Sequence, residues 1–138
     1  MAATLREHNK IKEIRDEKVI GLISDTHIPV RSRQIPVGVF EIFRNVDIII
    51  HAGDFVEIEV FRALEAIAPV IAVYGNMDPV NVRANFLELD SVRCLNWNIG
   101  VIHNTGVLSG LRGAEKIAKE NGFDVLVFGH THRPLIER

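Results

Sequence analysis

From Val19 onward the chain is built of short apolar runs separated by polar, glycine-bearing stretches. Five such runs, at residues 19–24, 47–51, 70–74, 98–103 and 124–128, are rich in Ile and Val and bounded by turn residues. Apolar runs of this length predict strands buried on both faces. Between them, residues 38–44 (GVFEIFR), 57–67 (EIEVFRALEAI) and 111–120 (LRGAEKIAKE) place apolar positions three and four apart, which predicts helices with one face on a core. Strands alternating with helices define an α/β class with a largely parallel sheet. Residues 87–95 predict an edge or antiparallel strand. Residues 1–18 are dense in charge, offer Leu5, Ile11 and Ile14 for burial, and read as a loosely docked N-terminal extension or a short helix.

A length of 138 residues favours one domain, here residues 19–138. With 47% hydrophobic and 25% charged residues the composition is that of an ordinary globular chain. The net charge of −2 supplies no bulk attraction to nucleic acid or anionic membrane, so phosphate binding requires a local site. Cys94 is the single cysteine, which excludes an intrachain disulfide and points to a reducing compartment. No apolar run approaches the roughly 18 residues of a bilayer span, and the first residues carry no secretory pattern. A cytoplasmic protein with no membrane partner is the expectation.

The informative residues follow the predicted strands. The first run hands over to Asp25-Thr-His27, the second to Ala-Gly-Asp54 and the third to Gly-Asn76-Met-Asp78. The fourth ends on His103, and the fifth leads into Gly-His130-Thr-His132. In α/β folds, ligands bind beyond the carboxyl ends of the strands. Parallel strands would gather these carboxylates, imidazoles and the Asn76 amide at one rim. Carboxylates packed together repel and are costly to bury unless cations intervene. Imidazole with carboxylate and amide oxygen, and no thiolate, suits Mn, Fe, Zn, Ni or Co better than Ca. Gly53, Gly75 and Gly129 lie beside these positions, where tight turns are needed.

Each motif alone has an ordinary explanation. Asp-x-His recurs by chance, and Gly-Asp and Gly-Asn are common turns. Their joint occurrence, in order and each at a strand end, carries the argument. His51 lies inside an apolar run and reads as a buried, hydrogen-bonded neighbour of the site rather than a ligand. Asp78 either orients the Asn76 loop or caps the segment that starts at Pro79. Cys94 reads as a structural thiol, His8 as part of the charged extension, Arg31 and Arg33 as solvated loop residues, and Phe86 and Trp97 as core or a partner-facing patch.

The order Asp25-x-His27, Gly53-Asp54, Gly75-Asn76-x-Asp78, His103, Gly129-His130-x-His132 resembles the calcineurin-like metallophosphoesterases, above all their small single-domain bacterial and archaeal phosphodiesterases. The resemblance covers about residues 19–134. It implies a two-sheet β sandwich flanked by helices with a dinuclear centre at the strand ends. Carried over by position, Asp25, His27 and His132 would hold one metal, and Asn76, His103 and His130 the other. Asp54 would bridge both, and Asp54 and Asn76 would form the catalytic core, with Asp78 and His51 behind the ligands. Three departures stand out. Many relatives place a leaving-group acid after Gly-Asn, where this chain has Met77; the usual His-Gly is His103-Asn104. Relatives also continue for about thirty residues past Gly-His-x-His, so C-terminal strands would be lacking here.

The implied activity is a metal-dependent phosphoesterase, specifically a phosphodiesterase, in which hydroxide shared by two divalent ions attacks a small phosphate ester. The alternative is a non-catalytic scaffold of the retromer-subunit type, whose first motif also continues as Asp-x-His-Ile-Pro. Scaffold relatives lose some of the histidines or the asparagine, and this chain keeps every position. A nuclease would want a basic groove, which the composition does not supply; short nucleotide substrates stay open, as does a homo-oligomer.

Overall fold

The structure, a computed structural model, describes residues 13–14, 18–29, 33–106 and 110–138. His8 and Arg31 lie outside them. The strands are β1 (Glu13–Ile14), β2 (Ile20–Ile23), β3 (Ile48–His51), β4 (Val70–Ala72), β5 (Leu89–Cys94), β6 (Trp97–Ile102) and β7 (Val125–Phe128). The helices are α1 (Val37–Phe43), α2 (Ile58–Glu65), α3 (Val80–Arg83) and α4 (Gly110–Asn121). Among the described residues no helix is long and apolar enough to cross a membrane.

Pairing divides the strands between two sheets, ordered β2-β3-β4 and β1-β5-β6-β7. All neighbours run parallel except β5 and β6, which form an antiparallel hairpin. The fold is therefore α/β, mostly parallel and two-layered in its sheets; alternation of strands and helices alone had suggested a single sheet. Within the N-terminal extension, Glu13–Ile14 pair with Arg93 and Cys94 of β5 as a short strand, and residues 1–12 and 15–17 lie outside the described residues.

Strand β3 shows how the layers form. Ile48 and Ile50 point into the space between the sheets, where they meet Ile71, Val73, Val92, Ile99 and Val101. Ile49 points the other way, into a second cluster with Phe43, Val60, Phe61, Leu64 and Val82 from the helices. A strand covered on both faces needs an unbroken apolar run, as this one has. Helix α3 escapes detection in sequence because it is a single turn behind Pro79, and what secures it is Val82 reaching the same core as Phe86. Phe86 stacks edge-on against Phe55, 5.2 Å between centroids, while Trp97 stands exposed beside the β5–β6 turn. Cys94 is buried as a free thiol.

Candidate metal centre

Each parallel strand of the three-stranded sheet releases a loop at its carboxyl end, and the loops are stitched together by backbone. The Asp25 amide donates to Gly53 O and the His27 amide to Asp54 O, both at 3.0 Å. Strands β6 and β7 add their loops through the Gly129 amide, which donates to His103 O at 3.0 Å. Asp25, His27, Asp54, His130 and His132 all adopt left-handed backbone conformations. Asp and His tolerate this region better than most residues, but a run of such positions at one rim means that the surrounding hydrogen bonds impose it.

The side chains converge in two groups. Ligand atoms of Asp25, His27 and His132 lie within 4.8 Å of one another, as do those of Asp54, His103 and His130. Asn76 joins the second group, with Oδ1 2.9 Å from His103 Nε2 and 3.1 Å from His130 Nδ1. Asp54 Oδ2 lies between the groups, 3.5 Å from His27 Nε2 and 3.1 Å from His103 Nε2.

Proton positions decide what this arrangement can bind. His103 Nδ1 lies 2.8 Å from the Ala52 carbonyl, which can only accept, so Nδ1 carries the proton. Nε2 on the other side of the ring faces Asp54 Oδ2, Asn76 Oδ1 and His130 Nδ1 at 3.2 Å or less. Oxygen and imidazole nitrogen atoms gathered this closely in a buried place suit a bound cation. In the other group Asp25 Oδ1 and His27 Nε2 are buried with no hydrogen-bond partner and stand 3.6 Å apart, too far for a bond of their own. The donor set, imidazole and carboxylate without thiolate, fits divalent transition metals.

The residues behind the groups are tightly fixed. Asp25 turns Oδ2 away, accepting Ser24 Oγ–H at 2.7 Å and the His130 amide at 2.9 Å. Burial alone would raise its pKa, but those bonds and the neighbouring His103 and His132 outweigh it and hold the carboxyl below its ordinary value. Asp78 is buried under the rim and collects three amides: Asp54 at 2.9 Å, Val56 at 2.6 Å and Gly75 at 2.7 Å. Burial pushes its pKa up against those bonds, with the charge of Asp54 adding to the rise. Asp78 thus binds the Asp54 loop to the Gly75-Asn76 turn and holds Val56 at φ 71°, a strained value for a β-branched residue. The helix beginning after Pro79 receives no side-chain cap from it.

His51 accepts the Gly53 amide on Nδ1 at 3.1 Å, leaving Nε2–H to meet Thr26 Oγ1 at 3.2 Å. Its complete burial lowers its pKa to about 3, so the ring is neutral. Gly75 is the close-approach glycine: a Cβ there would collide with Asp54 Oδ1. Arg33 is exposed. Sequence reasoning missed Ser24 and Arg83; the first is adjacent to a motif residue, but nothing local marks the second.

The sequence profile of the calcineurin-like phosphoesterase superfamily domain matches residues 19–138, and the chain belongs to that superfamily. It is 44% identical over 124 residues to a probable metallophosphoesterase of Methanocaldococcus jannaschii, covering 86% of this chain but 61% of that protein's length. A probable metallophosphoesterase of Methanothermobacter thermautotrophicus is 42% identical over 86% of this chain and 69% of its own length. A phosphodiesterase of M. jannaschii is 30% identical, with 86% and 75% covered. Among solved structures, vacuolar protein sorting 29 of Cryptosporidium parvum superposes with a TM-score of 0.75 at 25% identity, over 86% of this chain and 68% of that one.

Proposed function

We propose that this protein hydrolyses phosphodiesters at a dinuclear metal centre. Asp25, His27 and His132 would hold one divalent ion, Asn76, His103 and His130 the other, with Asp54 Oδ2 shared between them. The bound ions would supply Lewis-acid polarisation of the ester and a water of lowered pKa. Manganese, nickel, iron, zinc and cobalt all suit the donor set.

The chain's own contribution is placement. The Ala52 carbonyl orients the His103 ring, the Ser24 hydroxyl and His130 amide orient Asp25, and Asp78 holds the loops that carry Asp54 and Asn76. Two carboxylates, Asp25 and Asp54, offset only half the charge of two dications. The positive charge left over would favour an anionic ester and the negative charge spread over its transition state. Met77 offers no proton to a departing alkoxide, which favours esters whose leaving group is already a weak base. A small ester fits this reading, and the lone Cys94 suits the cytoplasm.

The observation that carries the proposal is the convergence of Asp54 Oδ2, Asn76 Oδ1 and His130 Nδ1 on His103 Nε2, at 3.1, 2.9 and 3.2 Å. Metal analysis of the purified protein, alongside phosphodiesterase and phosphomonoesterase assays with Mn, Ni and Zn added back, tests it. Two metal equivalents with diesterase activity are expected; a metal-free protein inert under every addition would end it. The likeness to vacuolar protein sorting 29 supports a second reading, a scaffold on the same fold. Metal uptake without hydrolysis of any ester would favour that one.

A further inference from the structure

Asn76 is the weakest donor of its group, a neutral amide on an exposed turn. From below, the turn is held through the Gly75 amide on Asp78 and the Met77 amide on Asp54 Oδ1. Its outward carbonyls are held by one side chain. Arg83 Nε–H donates to Asp78 O at 2.8 Å, and Arg83 Nη2–H donates to Asn76 O at 2.9 Å. The guanidinium also lies over the Tyr74 ring, 5.4 Å from its centroid, immediately before the turn begins. The base of Arg83 is equally defined. Val82 beside it is fully buried, the Arg83 amide donates to Pro79 O at 3.0 Å, and the Tyr74 amide donates to Leu87 O at 3.1 Å, closing the 74–87 segment on itself.

We infer that Arg83 is a positioning residue for Asn76, setting the affinity of the metal held by Asn76, His103 and His130. The inference rests on the dinuclear reading above. A planar guanidinium spans two carbonyls at once with its fork, and this is what a turn bearing a weak ligand requires. With both carbonyls tied, Asn76 Oδ1 stays opposite His103 and His130; with them free, the turn can swing while its inner amides remain bonded. Asp25, His27 and His132 sit on other loops and are linked to this turn through Asp54, whose Oδ1 accepts the Met77 amide on the inner side, away from the carbonyls that Arg83 holds.

Calorimetric titration with Mn²⁺ of metal-free wild type, R83A and R83K separates the outcomes, with melting curves of each metal-free form. Wild type should take two equivalents. R83A should keep one at wild-type affinity and bind the other about tenfold to a hundredfold more weakly, the usual cost of losing a ligand's support. R83K should fall between, because an ammonium is a point donor. In H132A, which cripples the other group, adding R83A should weaken the remaining tight equivalent. Unchanged affinity for both equivalents in R83A would overturn the role of Arg83, and so would equal weakening of both, which marks a general structural effect. If R83A fails to melt cooperatively, R83K decides between the same two results. Wild type binding fewer than two equivalents would instead strike the dinuclear reading and the inference together.

Discussion

The Met77 amide donates to Asp54 Oδ1 at 2.8 Å, and this leaves Oδ2 as the oxygen that faces both His27 and His103. One carboxylate is thus divided between holding the Asn76 turn and reaching into both donor groups. Replacing it attacks both jobs.

Asp54→Asn keeps the shape but removes the charge shared between the groups. Turnover should fall on the order of 10³-fold, about 4 kcal/mol of barrier, and bound metal should drop below wild type. Assay and elemental analysis of the same preparation check this; unchanged turnover would remove Asp54 from the bridging role.

Met77 stands half-exposed on the turn with no proton to give. Aryl diesters should therefore be cleaved much faster than alkyl diesters of the same size. Met77→His should narrow that gap, within the roughly 10²–10⁴-fold that a positioned acid contributes. Equal wild-type rates on both classes would refute the leaving-group argument.

Gly75→Ala places a methyl against the Asp54 carboxylate and 2.7 Å from the Asp54 amide nitrogen. Neither can retreat, since Asp78 and Met77 hold both. The variant should lose about 1–3 kcal/mol of stability and with it much of its metal. A melting curve overlying the wild type would show that the contact relaxes freely.

His51 makes a prediction about pH in the metal-free protein. Its pKa is about 3 when folded against 6.5 as a free side chain. Between those values the unfolded chain takes up a proton that the folded chain refuses, so stability falls as pH drops below about 6.5. The slope from this residue is at most about 1.4 kcal/mol per pH unit. His51→Gln can accept from Gly53 and donate to Thr26 without titrating. Denaturant midpoints at pH 7 and pH 5 should therefore converge in the variant more than in wild type; identical slopes would deny His51 that role.

The α/β class, the main strands and helices, and the residue types at each strand end could be read from the chain, because those features are local. Apolar runs, three- and four-residue spacing and glycine-bearing turns all act within a dozen residues, and they put Asp25, His27, Asp54, Asn76, Asp78, His103, His130 and His132 at strand ends; the narrower ligand set is what the family resemblance implies. Tertiary structure alone decided that the strands split between two sheets, that Ile49 faces helices while Ile48 and Ile50 face the other sheet, and that Asp54 Oδ2 lies between two donor groups. It also decided that Asp78 gathers amides 24, 22 and 3 residues away, and that the His130 amide reaches Asp25 across 105 residues. Such bonds depend on strand register and on which loops close against which, and no periodicity in the chain encodes either.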